Sequence, residues 1–359
     1  MSEQKSDQTL VKNLKILTVG DPHFKKSNIP DCDLLITKLH ELIIKEAPTY
    51  IIILGDVLDT HETIDECPLN KALEFINMCR KYAPTYILVG NHDYRNNSQF
   101  LTENHWMNGL KEWENCVIVD KVVELKMSKN TKFYLLPYVP DGRFVEALNT
   151  YEYSTIDKWK DATGIFCHQE FLGCKMGAFI SEKGDKWELD HPFVISGHIH
   201  QQQQPQENIY YTGSSLQNAF GESEKNIIAI FEWDYQLDYQ LDYNYNTPLI
   251  REVDLDLPRK KIIYMDMGKV DDFVVDTSKD NSKLKLTLTG NTEEFKTFKK
   301  TAKYQELVKN DIKVVFKGVA EIATRKSDKI LFKDVLHELL LECKNPLVME
   351  YYNEIFINN

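Results

Sequence analysis

Between Leu14 and Asp234 the chain alternates short runs of Ile, Val, Leu and Tyr with longer stretches whose apolar residues recur every third or fourth position. The short runs are Leu14–Val19, Tyr50–Leu54, Thr85–Val89, Phe133–Leu136, Gly164–Phe166, Pro192–Ile195 and Ile227–Phe231. Most are bounded by Gly, Pro, Asn or Asp, as buried strands are. Between the first two lies IPDCDLLITKLHELIIKEAP, in which Leu34, Leu35, Leu39, Leu42 and Ile43 recur at helical spacing and Pro48 closes the helix. LNKALEFINMCRKYAP predicts a second helix, ended before Pro84. Strand, helix, strand, helix, strand is the order of an α/β domain with parallel pairing near its start.

After about Arg251 the pattern changes. KLKLTLTG predicts a strand, TEEFKTFKKTAKYQELVKN a helix and DIKVVFKG another strand, which together make a small β-α-β unit. KILFKDVLHELLLE and PLVMEYYNEIF predict two amphipathic helices separated by Lys344–Pro346. A helix pair at the end of a chain seeks an apolar partner, which the body of the protein itself could supply. The opening MSEQKSDQTLVKN is polar and predicts a mobile leader. The expected division is therefore 1–13, 14–250, 251–320 and 321–359. YQLDYQLDY, from Tyr235 to Tyr243, is a short tandem duplication to which no chemistry attaches.

Composition sets bounds. A chain of 359 residues, 42% hydrophobic and 27% charged, suits a large domain plus a smaller one with a sizeable core. No apolar run approaches the roughly 20 residues that span a bilayer, so no membrane association is expected. Seven cysteines without a CxxC pair suit free thiols and an intracellular location. The net charge of −12 argues at first against a polyanionic partner. A metal site, however, gathers carboxylates whose charge bound cations cancel. Between Glu293 and Lys333, moreover, eleven Lys and Arg face six Asp and Glu.

The chemistry sits where five predicted strands end. LKILTVG runs into Asp21-Pro22-His23, TYIIILG into Asp56-Val57-Leu58-Asp59, and TYILVG into Asn91-His92-Asp93. GIFC runs into His168, and PFVISG into His198-Ile199-His200. In open α/β sheets the carboxyl ends of strands form the ligand crevice, so five such ends can converge. Hydrolysis of a phosphoester needs an anion neutralised and water activated, and two divalent cations about 3.5–4 Å apart do both. Such a pair needs a bridging carboxylate, for which Asp56 is the natural candidate. Mixed nitrogen and oxygen donors favour Mn²⁺, Fe or Zn²⁺ over Ca²⁺ or Mg²⁺. In Asp21-x-His23 and His198-x-His200, an extended backbone would point both side chains the same way. A lone DxH or HxH means little, but five ends in this order are not accidental.

This set resembles the calcineurin-like metallophosphoesterases: D-x-H, GD-x-x-D, GNH-D, a later His and GH-x-H. The resemblance implies a four-layer αββα sandwich of two packed sheets flanked by helices. It implies one metal held by Asp21, His23, Asp56 and His200, and another held by Asp56, Asn91, His168 and His198. His92 would stabilise the transition state and help protonate the leaving oxygen, with Asp93 orienting its imidazole.

Within the superfamily, SGHIHQ followed by NIYYTGSSLQNAFGE looks like the SbcD-type nucleases, relatives of the meiotic-recombination-eleven nuclease, in phage-like and large-DNA-virus-like form. That likeness implies a Mn²⁺-dependent exonuclease and endonuclease acting on DNA, with Fe, Zn²⁺ or Mg²⁺ as alternative metals. It makes the β-α-β unit a DNA-capping domain and the terminal helices a dock for an SbcC-type coiled-coil ATPase. It also implies a homodimer, with interface candidates in the helices after Pro30 and after Asn91. Thr212 and Ser215 stand where the family commonly has proline, and Asp59 where some members have His; His61 is two positions further on. Gln201–Gln204 is expected to be a solvated extension. Two rival readings stand beside the nuclease: a phosphomonoesterase or cyclic-nucleotide phosphodiesterase, and an inactive scaffold for an ATPase. Against the scaffold, no ligand position is lost.

Overall fold

In the computed structural model, residues 14–61, 63–128, 131–151, 157–233, 247–274 and 282–318 are described. The chain opens with β1 (Leu14–Val19), α1 (Ile29–Glu46), β2 (Tyr50–Ile53), α2 (Glu66–Arg80), β3 (Thr85–Leu88) and β4 (Cys116–Val119). Next come β5 (Val123–Lys126), β6 (Lys132–Leu135), α3 (Phe144–Leu148), β7 (Gly164–Cys167) and the two-residue strands β8 (Lys175–Met176) and β9 (Phe179–Ile180). β10 (Val194–Ser196), β11 (Gln203–Gln206), β12 (Ile209–Tyr211), β13 (Ile228–Trp233) and β14 (Leu249–Val253) follow. Last are β15 (Lys260–Asp266), β16 (Lys283–Gly290), α4 (Thr292–Phe298), α5 (Ala302–Lys309) and β17 (Lys313–Gly318).

Two six-stranded sheets form, ordered β14-β13-β1-β2-β3-β4 and β11-β12-β10-β7-β6-β5. β1 to β4 run parallel, as do β6, β7, β10 and β12. The period of two along each strand splits its side chains between layers. Leu14, Ile16 and Ile52 meet Phe133, Leu135, Phe166 and Ile195 between the sheets. Leu17, Val19, Ile51 and Ile53 face outward onto Leu35 and Leu39 of α1 and Phe75 and Ile76 of α2. On the far side Tyr134, Ile165 and Cys167 are covered by Phe144, Leu148, Trp159 and Trp187. The result is the expected four-layer αββα sandwich. Each fully buried aliphatic or aromatic side chain contributes about 1.5–3 kcal/mol, so sandwich and flanking helices hold together chiefly through these three cores.

Pro30 in its first turn starts α1, and Ala47 ends it in the left-handed region. Leu34, expected in the buried stripe, is 39% exposed, and Ile36 takes its place. α2 begins earlier than expected because Asp65 caps it, accepting from the Cys67 amide. Of Gln201–Gln204, expected as a solvated extension, Gln203 and Gln204 belong to the edge strand β11.

The C-terminal part of the described chain has its own three-stranded parallel sheet, β15-β16-β17, and its own core around Leu286, Leu288 and Leu307. β15 was not expected there. The single helix predicted from 292 to 310 is two helices. Thr301 breaks it by accepting from the Tyr304 amide as the cap of α5. The unit abuts the sandwich: Lys283 Nζ lies 2.7 Å from Asp31 Oδ1, and the Lys260 amide donates to Gln217 Oε1 at 2.6 Å. The leader, the tandem YQLDYQLDY and both predicted terminal helices fall outside the described residues. Among those described, no helix is long and apolar enough to cross a membrane.

Candidate metal centre

Parallel β1, β2 and β3 in one sheet, and parallel β7 and β10 in the other, bring five carboxyl ends to one edge of the sandwich. The seven positions expected as ligands gather there. Asp56 Oδ2 lies 3.5 Å from His23 Nε2 and 3.3 Å from His168 Nε2. Asn91 Oδ1 lies 3.0 Å from His168 Nε2 and 2.9 Å from His198 Nδ1. His200 Nε2 faces His23 Nε2 at 2.9 Å. Ligand atoms of Asp21, His23 and His200 lie within 4.8 Å of one another, as do those of Asp56, His168 and His198. Asp56 stands between the two groups.

The two x-spaced pairs are not presented by extended backbone. Asp21 (φ 40°), His23 (φ 46°), Asp56 (φ 48°) and His198 (φ 75°) are all left-handed. Each such residue costs of order 1–3 kcal/mol, so surrounding contacts must hold it. They do: the His198 amide donates to Asp21 Oδ1 at 2.8 Å, and Asn218 Nδ2 donates to the Asp21 carbonyl at 3.2 Å. The His92 amide donates to Asp56 Oδ1 at 2.8 Å. Gly90 permits this closeness, because a Cβ there would collide with the Asp56 carboxylate.

The electrostatics call for positive charge. Burial pushes the Asp21 carboxyl up, and its Oδ2 is buried without a hydrogen-bond partner. Burial also opposes charge on Asp56, but His168, His23 and His92 outweigh it and hold that carboxyl far below the usual range. His168 is pushed up to about 9: burial disfavours its charge, and the Asp56 carboxylate overrides that. Burial, with His168 close by, pushes His198 down to about 3. A largely buried cluster in which two carboxylates stand among four imidazoles suits divalent cations. The orphaned Asp21 oxygen and the facing His23 and His200 nitrogens fit the same occupant.

His92 is fixed differently from expectation. Its Nδ1 lies 2.7 Å from the carbonyl of Asp59, and its ring stacks on His61 with centroids 4.6 Å apart. Asp93 does not orient it. The Asp93 carboxylate accepts from the amides of Val57, Leu58 and Gly90 and from Trp106 Nε1, tying the β2 and β3 loops together. Burial and the Asp56 charge push it up to about 6.

Sequence reasoning assigned no role to Glu222, whose Oε1 lies 3.0 Å from His200 Nδ1. A signal was present, because Glu222 closes the AFGE segment. The Leu54 carbonyl, 2.6 Å from His168 Nδ1, is a second such partner that no side-chain motif reveals.

The family model of the calcineurin-like phosphoesterases matches residues 14–202. The chain is 47% identical over 290 residues to the 244L protein of Invertebrate iridescent virus 6, covering 80% of this chain and 98% of that one. It is 41% identical over 338 residues to the 078R protein of Invertebrate iridescent virus 3, covering 90% and 91% respectively. Both relatives are provisionally named phosphoesterases. Among solved structures, a dimetal phosphatase from Danio rerio is similar at 10% identity and a TM-score of 0.42, covering 61% of this chain and 93% of that one.

Proposed function

The chain belongs to the calcineurin-like phosphoesterases, and from that premise we propose that it is a dinuclear, Mn²⁺-dependent phosphodiester hydrolase acting on DNA ends. Asp21, His23, Asp56 and His200 hold one metal, and Asp56, Asn91, His168 and His198 hold the other. Bound cations supply charge neutralisation and water activation. The protein's own work is done at His92. A backbone carbonyl only accepts, so Nδ1 donates to Asp59 and Nε2 is left for the leaving oxygen.

One observation carries the DNA reading. The 217–222 segment links the metal centre to the small parallel unit. Asn218 bonds Asp21, Glu222 bonds His200, and Gln217 bonds both the amide and, through its carbonyl, the ammonium of Lys260. Lys25 and Lys283 also lie along this link, paired with Asp59 at 2.9 Å and with Asp31 at 2.7 Å. A second unit tied to the site through this segment suits a substrate longer than a phosphomonoester. The proposal extends to an SbcC-type ATPase on the segment 329–356 and to a homodimer, both resting on sequence likeness.

The test is cleavage of an end-labelled duplex by wild type and His92→Gln, in Mn²⁺ and Mg²⁺, beside a small chromogenic diester. Manganese-dependent shortening that the variant loses supports the nuclease. Turnover of the small ester with intact DNA would assign a phosphomonoesterase or cyclic-nucleotide phosphodiesterase instead.

A further inference from the structure

Beside the metal centre lies a cavity of about 380 Å³ that the reaction as described does not use. The segment after β1 and the loop between β2 and α2 wall it. Phe24, Leu58 and Ile64 give it apolar surface, Thr60 and Thr63 give it hydroxyls, and Lys25 with the Lys26–Asp65 pair gives it charge. Three links tie it to the chemistry. Phe24 directly follows His23, and Thr60 directly follows Asp59. Lys25 Nζ is 2.9 Å from Asp59 Oδ1, and that oxygen is 3.5 Å from His23 Nδ1. The Asp59 carbonyl in turn fixes His92. The cavity lining therefore follows directly in sequence on one residue of the centre, His23, and on one residue that touches it, Asp59.

Small-molecule sites occupy about 300–1,000 Å³ and combine apolar walls with a few placed polar groups. This cavity matches that description and is too small for a protein element. A ring with apolar faces and hydrogen-bonding edges, joined to an anion, satisfies the three kinds of lining at once. Resting on the phosphodiesterase reading above, we propose that the cavity seats the base of the nucleotide adjoining the scissile phosphate, with Lys25 turned to that nucleotide's own phosphate. Thr60 donates to the Thr63 carbonyl and so offers a base only an acceptor, while the Thr63 hydroxyl can donate or accept, so purine and pyrimidine edges are both served. The cavity thus selects nucleoside diesters over simple diesters without selecting among bases.

The test compares, in Mn²⁺, the p-nitrophenyl esters of thymidine 5′- and 3′-phosphate with methyl p-nitrophenyl phosphate, which has no base. The full-length wild type should show kcat/KM at least about tenfold higher for one of the two nucleoside esters, a difference of about 1.4 kcal/mol. Thr63→Trp, which fills the cavity, should bring that ratio towards one. Ile64→Ala, which removes apolar wall without adding bulk, should lower it by a smaller factor and guards against a misfolded first variant. A ratio near one in the wild type, or a high ratio that survives both variants, overturns the subsite and leaves the phosphodiesterase standing. Hydrolysis of none of the three esters overturns the phosphodiesterase reading and the subsite with it.

Discussion

Glu222 holds His200 from behind: its Oε1 lies 3.0 Å from Nδ1, while the same ring's Nε2 faces His23 at 2.9 Å. Its other oxygen accepts from the amides of Asn218 and Ala219 at 2.8 and 2.9 Å, so the carboxylate is itself clamped. A carboxylate behind a ligating imidazole fixes the tautomer and raises its basicity. Glu222→Gln should therefore weaken one of two Mn²⁺ equivalents by about 10–100-fold. Calorimetric titration of the metal-free protein reads this directly, and two unaltered affinities would show that Glu222 serves only the loop.

The His92 ring packs edge-on against His23, with centroids 4.9 Å apart, but it stands outside the proposed ligand set, so removing it should spare the metals. His92→Gln is expected to lower kcat on a diester by about 10²–10⁴-fold. Calorimetry should still count two Mn²⁺ equivalents. Loss of a metal together with activity would make His92 a ligand, since a ring nitrogen of His92 lies within 4.8 Å of ligand atoms of His23 and Asp56.

How much was readable beforehand follows from these residues. The α/β order with parallel pairing was legible because β1, β2, β3 and β7 are largely apolar runs that end abruptly in Asp, Asn or His, whereas the αββα layering followed only from the family resemblance. Edge strands were not: β5 and β11 are partly exposed and polar, so no apolar run marks them. Which residues gather at the site was legible, since the five polar strand ends and their order survive in the sequence. Their presentation was not, because four of the site residues adopt left-handed backbone that no side-chain pattern encodes. Asp93 misled through adjacency: it follows His92 in sequence, yet its carboxylate points into the β2 loop. The break at Thr301 was missed because apolar spacing runs through it, and only its capping hydroxyl marks the boundary.

Asp93 carries the next prediction. Its carboxylate gathers three backbone amides and an indole in a buried place, and charge-assisted bonds of this kind contribute about 1.5–3 kcal/mol each. Asp93→Ala strands those donors and should lower stability by about 3 kcal/mol or more in denaturant unfolding. A residue that merely orients His92 would instead shift the pH–rate profile and leave unfolding untouched.

Asp120 stands outside the proposed ligand set and gives a prediction on pH. Its Oδ2 is 2.6 Å from Lys111 Nζ and 3.2 Å from His105 Nε2. Burial opposes its charge, but these two partners outweigh burial and bring the carboxyl down to about 2 from 3.8. A carboxyl depressed in the folded state stabilises it above the unfolded value and loses that contribution as pH falls through the folded one. The contribution is therefore complete above about pH 5, roughly half gone by pH 3, and absent near pH 1. At neutral pH it amounts to at most about 2 kcal/mol. Asp120→Asn should accordingly be less stable than wild type at pH 6, with the gap narrowing as unfolding is repeated at pH 5, 4 and 3. A gap that stays constant across that range would mean that Asp120 acts through packing and hydrogen bonds alone, and that its charge does not stabilise the fold.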